Sequence, residues 1–273
     1  MYESYWQLES RPFENTAGDA AYFPSEVHQG ALLKLRYAVE NRRGGALLCG
    51  PPGTGKTMLV DMLRAQLSET ARPFVHLVFP QMSRGELLAY LADELGAAAA
   101  GGVMPTVEES VRRIGHTLCE NAGAGGHAVI AVDEAHLLAE SGALETMRLL
   151  LNFQHEGQPT LTLLLVGHPA LLPLVDRMPA LDDRLGVKCL LRPFTLEETV
   201  RYVHHRLQAA GTSAEIFEPE ALNVLHELTG GVALRINRLC DLSLLIGFAE
   251  ERPSITAAQV ESVCDELVTV SPE

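Results

Sequence analysis

Three short stretches carry the residue types that chemistry needs. The first, GPPGTGKT at residues 50–57, sets three glycines and two prolines around one lysine. It fits the pattern GxxxxGK[ST] through Gly50, Gly55, Lys56 and Thr57. Glycines let backbone N–H groups turn inward toward an anion, and a helix that follows aims its positive end at the same point. The expectation is a nucleotide-phosphate cradle formed by Gly50, Pro51, Pro52, Gly53, Thr54, Gly55, Lys56, Thr57 and Met58. Lys56 would reach the β and γ phosphates, and the Thr57 hydroxyl would hold Mg²⁺, a small cation that takes oxygen ligands.

The second stretch, AVIAVDEAH at 128–136, is an apolar run that ends in two carboxylates. Asp133 would help to hold the metal, and Glu134 would polarise an attacking water, the part a general base plays when phosphoryl transfer is mostly positioning and charge stabilisation. An acidic pair after a strand also serves as a helix cap. Its pairing with the glycine loop upstream favours the catalytic reading. The third stretch, LLLVGHPAL at 163–171, places His168 after another apolar run, where it could bond the γ phosphate or the attacking water. His136 follows the second run in the same way. His204 and His205 lie in a helical pattern and read as surface or packing residues. No Ser/His/Asp triad is defensible from spacing, and no His and Cys cluster suggests zinc.

The elements around these stretches fit their chemistry. Val27, Ala31, Leu32, Leu35, Ala38 and Val39 recur at helical spacing, and Gly44–Gly45 ends that helix. A short strand, 46–49, runs into the loop, and Met58, Leu59, Met62, Leu63 and Leu67 then recur with a helical period. Strand, loop and helix are the context that a phosphate loop requires. Further buried strands are expected at 74–79, 128–132, 161–166 and 187–191, separated by helices near 83–95, 107–121 and 142–154. This alternation predicts an α/β fold, a five-stranded parallel sheet flanked by helices. From Thr195 the strands stop, and helices are expected near 195–210, 218–229, 233–249 and 256–268. The expected division is therefore an α/β domain over 1–192, including an aromatic N-terminal segment, and a small helical domain over 193–273, with Arg192-Pro193 at the joint. GAAAAGG at 96–102 reads as a surface linker.

Composition narrows the function classes. A formal net charge of −14 with a pI near 5.1 disfavours a general nucleic-acid coat, and Arg36, Arg42 and Arg43 read as a solvated helix face. Cys49, Cys119, Cys189, Cys240 and Cys264 are widely spaced without a CxxC pair and read as buried, reduced thiols of a cytoplasmic protein. The N-terminal residues have no signal-peptide pattern and no apolar run approaches the ~18 residues of a membrane span, so a soluble chain is expected.

With these residues in place, the chain resembles the AAA+ ATPases, and within them the general secretion pathway protein A (ExeA/GspA) type. The resemblance runs along nearly the whole chain, through YWQLESRPF, GPPGTGKT, VIAVDEAHLL, LETMRLLLNFQ, LLLVGHPAL and TGGVALRINRLCDLSLL. It implies a P-loop fold with a helical lid, ATP and Mg²⁺ as ligands, Lys56 and Thr57 as Walker A contacts, and Asp133 and Glu134 as the Walker B pair. It also implies the sensor 1 position for His168, where relatives commonly carry glutamine. An arginine that completes the site of the next subunit is implied at Arg184, in ALDDRLGVK, with Arg177 as second choice. In the helical part, Leu234 stands where relatives tend to carry the sensor 2 arginine and Arg235 comes one residue later, which implies slow or partner-dependent turnover. The long members continue into a membrane span and a cell-wall-binding part, and the expectation here is the soluble ATPase core.

Two functions follow. One is an ATPase that self-associates into a dimer or ring and remodels or assembles a protein partner, in secretion or envelope assembly. The other is an ATP-dependent switch or adaptor of the transposition-regulator type with little turnover of its own; its DNA-binding form is disfavoured by net charge. A two-domain helicase is set aside because the second half is helical, and a GTPase because no NKxD signal is present.

Overall fold

The computed structural model describes residues 1–14, 22–97 and 104–269, so most of GAAAAGG lies outside the described residues. The chain forms two compact units. One comprises Glu26–Pro52 and Lys56–Leu191, and the other Met1–Ser25, Gly53–Gly55 and Arg192–Glu273.

The first unit runs α1 (Glu26–Glu40), β1 (Gly45–Cys49), α2 (Lys56–Gln66), β2 (Phe74–Leu77), α3 (Arg84–Glu94), α4 (Val107–Gly123) and β3 (Ala128–Val132). After one 3₁₀ stretch, Ala135–Ala139, come α5 (Ala143–Leu150), the hairpin pair β4 (Gln154–His155) and β5 (Gln158–Pro159), β6 (Leu161–Gly167), α6 (Leu171–Asp176), α7 (Pro179–Asp182) and β7 (Leu185–Leu190). The main sheet has the order β2-β3-β6-β1-β7 and all its pairs are parallel. β1, β3 and β6 are buried at every position, which is why they read as unbroken apolar runs instead of alternating ones. Local signals set the helix starts. Ser83 and Glu86 close a capping box on α3, and Thr106 accepts from Glu109 N at the start of α4.

The five strands of the sheet overlap the apolar runs, and β7 starts two residues earlier than expected, at Leu185. β2 stops at Leu77, and Val78 and Phe79 are exposed. The helix expected over 142–154 stops at Leu150, and a hairpin turns at Glu156-Gly157, both with positive φ, a backbone that suits a two-residue hairpin. Arg42 and Arg43 lie beyond the end of α1 instead of on its face: Arg42 donates to Gly125 O at 3.4 Å, and the Arg43 guanidinium sits over the Tyr37 ring. Cys49, Cys189 and Cys240 are buried, whereas Cys119 and Cys264 are half-buried; all five are free thiols.

The second unit holds α8 (Leu196–Ala209), α9 (Pro219–Thr229), α10 (Ala233–Ala249) and α11 (Ala257–Thr269). A second capping box, Thr195 with Glu198, starts α8. The aromatic N-terminal residues belong to this unit, not to the α/β unit in which sequence reasoning placed them. Tyr2, Trp6, Leu8 and Phe13 are buried in one cluster with Tyr202, Leu225, Ile236, Leu244 and Ile255. The Trp6 indole donates to Leu244 O at 3.0 Å, Glu9 N donates to Ala210 O at 2.8 Å, and the buried Arg206 donates to Pro12 O and, at 2.7 Å, to Glu14 O. A small helical bundle needs large side chains to fill its core, and the N-terminal aromatics supply them.

Candidate functional site

Strand polarity assembles the site. β3, β6 and β1 are adjacent and parallel, so the segments leaving their carboxyl ends emerge side by side, the usual place for ligands on an open α/β sheet. β1 leads through Gly50 into the glycine loop, β3 into Asp133 and Glu134, and β6 into His168.

In the loop, Gly53 has φ 76° and Gly55 φ 87°, left-handed values that glycine adopts without the Cβ penalty. At Gly53 a Cβ would lie 2.8 Å from the Leu234 Cβ, and Gly53 O accepts from Leu234 N at 3.2 Å. Leu234 thus packs on the backbone of Gly53. Leu234 and Arg235 are both exposed. α2 begins at Lys56, so its N-terminal N–H groups face the loop. The Lys56 ammonium, in a side chain that is almost fully buried, donates to Gly50 O at 2.9 Å and Pro51 O at 3.1 Å.

Thr57 and Asp133 meet: the Thr57 hydroxyl donates to Asp133 Oδ2 at 2.6 Å. Asp133 is 4% exposed, and its other carboxylate oxygen accepts from Glu134 N at 2.9 Å. Its own N–H donates to Leu77 O at 2.8 Å, fixing it to the end of β2. A hydroxyl and a buried carboxylate side by side are hard oxygen donors, the set that fits Mg²⁺. Glu134 follows in a left-handed backbone (φ 47°, ψ 38°), uncommon for a residue with a Cβ and frequent where a functional group must be aimed. Its half-exposed carboxylate lies 3.3 Å from His136 Nδ1. His168 is exposed and its Nδ1 accepts from Ala170 N at 3.2 Å; its ring centroid is 6.1 Å from that of His136.

One further group faces Asp133 that sequence reasoning did not single out. His76 on β2 places Nε2 3.9 Å from Asp133 Oδ2 and Nδ1 3.9 Å from Asp61 Oδ1 on α2. The signal was available: His76 is the one polar residue in the run FVHLVF, and a polar side chain inside a buried strand calls for a reason. Burial pushes the Cys49 thiol, next to the loop, up to about 11, with Lys56 opposing the rise.

Arg184 lies elsewhere. It immediately precedes β7, and its carbonyl accepts from Gly45 N, the first residue of β1. It therefore stands at the amino edge of the sheet, roughly 15 Å of strand away from the glycine loop of its own chain. Its Nη1 is buried without a hydrogen-bond partner among the described residues. Arg177, at the end of α6, lines a shallow apolar pocket with Ala139, Leu144, Leu174 and Met178.

A sequence model of the AAA domain matches residues 39–175, which hold β1, the glycine loop, the Asp133-Glu134 pair and β6. The chain belongs to the AAA family. The AAA chain is 32% identical, over an alignment of 281 positions, to general secretion pathway protein A of Aeromonas hydrophila. All of the chain is covered and 50% of that protein, so it spans half the length of this curated relative. Among solved structures it resembles Cdc6p of Pyrobaculum aerophilum (21% identity, TM-score 0.70, 94% of this chain and 74% of that one). It also resembles the ORC2 protein of Aeropyrum pernix, solved as ADPNP-ADP complexes (17%, 0.69, 94% and 72%), and the RuvB Holliday junction branch migration motor of Thermotoga maritima (20%, 0.62, 93% and 73%). At these identities the structures speak for the fold, a P-loop AAA+ sheet with helices following it. Among the described residues no helix is long and apolar enough to cross a membrane.

Proposed function

We propose that this AAA chain binds ATP in the loop 50–57 and hydrolyses it to remodel or assemble a protein partner in the cytoplasm, with secretion or envelope assembly as the setting suggested by its Aeromonas relative. The observation that carries the reading is the convergence at one sheet edge of the glycine loop, the Thr57–Asp133 pair and the Glu134 carboxylate.

The loop amides of residues 50–57 and the first turn of α2 receive the phosphates. Lys56 trades its two loop carbonyls for phosphate oxygens, so its charge is neutralised by ligand instead of backbone. Thr57 and Asp133 would hold Mg²⁺, which supplies charge neutralisation on the phosphates when bound. Glu134 orients the attacking water and takes its proton. His168, leaving the strand between those of the loop and the acidic pair, bonds the γ phosphate or that water. Arg184, at the opposite sheet edge, serves the nucleotide of a neighbouring subunit, which requires self-association into a dimer or ring.

A second reading is favoured by Leu234 at the sensor 2 position and by the fold likeness to Cdc6 and ORC proteins, two of which were solved with DNA. In it, ATP binding drives assembly on a partner or DNA and turnover is incidental. Phosphate release measured across a protein-concentration series, with Glu134→Gln as control, separates the two. The hydrolytic reading expects Glu134→Gln to bind ATP normally and to turn over about 10²-fold or more slowly. Wild-type turnover in that variant would end it. Tight ATP binding with negligible turnover at every concentration would support the switch.

A further inference from the structure

Glu134 has a fixed backbone and a long, half-exposed side chain. The left-handed turn at Glu134 and the bond from its N–H to Asp133 Oδ1 set where the side chain starts, but not where the carboxylate comes to rest. Among the described residues, the His136 imidazole is the polar group that lies against it, with Nδ1 3.3 Å from Oε2.

We propose that His136 is a positioning residue for Glu134: its Nδ1 bonds the carboxylate and holds it where it meets the attacking water. The proposal rests on the hydrolytic reading above and deepens it. Three features support it. The 3₁₀ stretch that follows the left-handed turn brings residue 136 back over residue 134, with Nδ1 3.3 Å from Oε2. Nδ1 is buried and makes no hydrogen bond of good geometry, so its bonding capacity is unspent and a small rotation of the carboxylate completes the bond. The ring lies close against the end of β6, where the residue is a glycine: a Cβ on Gly167 would lie 3.3 Å from His136 Nδ1 and 3.4 Å from Ala135 N. The Nδ1–H tautomer is the one that donates to a carboxylate, leaving Nε2 as acceptor.

Asparagine and glutamine separate the two ring nitrogens. An asparagine amide can occupy the place of Nδ1, whereas a glutamine amide reaches that of Nε2. The experiment measures steady-state ATP hydrolysis, the dissociation constant of a fluorescent ATP analogue and the thermal midpoint for wild type, His136→Ala, His136→Gln, His136→Asn and Glu134→Gln. The expected result is a kcat about tenfold lower in His136→Ala and His136→Gln, with nucleotide affinity and midpoint unchanged, and recovery to within about threefold of wild type in His136→Asn. Wild-type kcat in His136→Ala overturns the proposal, as does an equal loss in all three variants or a loss that tracks the thermal midpoint. Glu134→Gln distinguishes the two levels. If it is inactive while His136→Ala is active, only the positioning role fails; if it matches wild type, or wild type itself does not turn over, the hydrolytic reading fails and takes the positioning role with it.

Discussion

The two edges of the same sheet differ in how their polar groups are held. At the carboxyl edge, Lys56, Thr57, Glu134 and His168 reach loop carbonyls, a carboxylate, a neighbouring imidazole and a loop N–H, partners that a ligand can replace one at a time. At the amino edge the polar groups are built into the packing. His127, just before β3, is 4% exposed, donates its N–H to Thr70 O and sets Nε2 2.8 Å from Thr162 Oγ1, while Arg184 gives its carbonyl to β1. Parallel strands all run one way, so the segments that leave them gather at one end and the segments that enter them at the other. In the proposed function, a residue at the amino edge would meet a phosphate only in another copy of the chain.

The comparison is broken most directly at the carboxyl edge. Lys56→Ala removes the ammonium that would face the phosphates in the proposed function, and nucleotide affinity is expected to fall about 100-fold or more, read by equilibrium fluorescence; unchanged affinity would mean that the edge is not a phosphate site. The amino edge is tested by mixing. Arg184→Ala is expected to lower turnover about 10²-fold or more while still binding ATP. Combined with Lys56→Ala, which contributes an intact Arg184 but no usable nucleotide, it should regain part of the lost activity, because each mixed pair holds one complete site. Two inactive variants that stay inactive when mixed would place Arg184 outside the site.

The smallest effect concerns stability. Burial, with Arg42 nearby, pushes the His127 imidazole down to about 4. The folded chain keeps it neutral while the unfolded chain takes up a proton below about pH 6.5, so this group makes no difference above that pH and costs stability progressively from about 6.5 down to 4. The loss reaches about 3 kcal/mol at its lower end, by linkage. Denaturant melts of wild type and His127→Gln at pH 7.5 and 4.5 check it: the gap between the two chains should shift in favour of the variant at the lower pH, and a constant gap would show that His127 does not titrate as buried.

Much of the carboxyl edge was legible because its signals are local. A glycine loop between an apolar run and a helical period, and two carboxylates directly after a second run, need only a few neighbours to be recognised, and the structure brings Thr57 and Asp133 within 2.6 Å. The capping boxes at Ser83 and Thr195 are local in the same sense. The rest depended on contacts between distant residues. Nothing in the spacing of His76, Asp61 and Asp133 says that β2 and β3 are neighbours, and the position of Arg184 in ALDDRLGVK does not say which end of the sheet it occupies. The N-terminal aromatics were misplaced for the same reason: their large apolar surface shows that they must be buried, but not in which of two cores.

The sequence by itself therefore determined the residue types of the phosphate loop, the acidic pair, and the strands and helices that carry them, since backbone freedom and hydrophobic period are properties of short segments. Only the tertiary structure decided the strand order, the meeting of His76 with Asp133, the packing of Leu234 on Gly53, and the distance between Arg184 and its own chain's loop. Those depend on which buried faces pair across long stretches of chain, a choice made by the packing of the whole core.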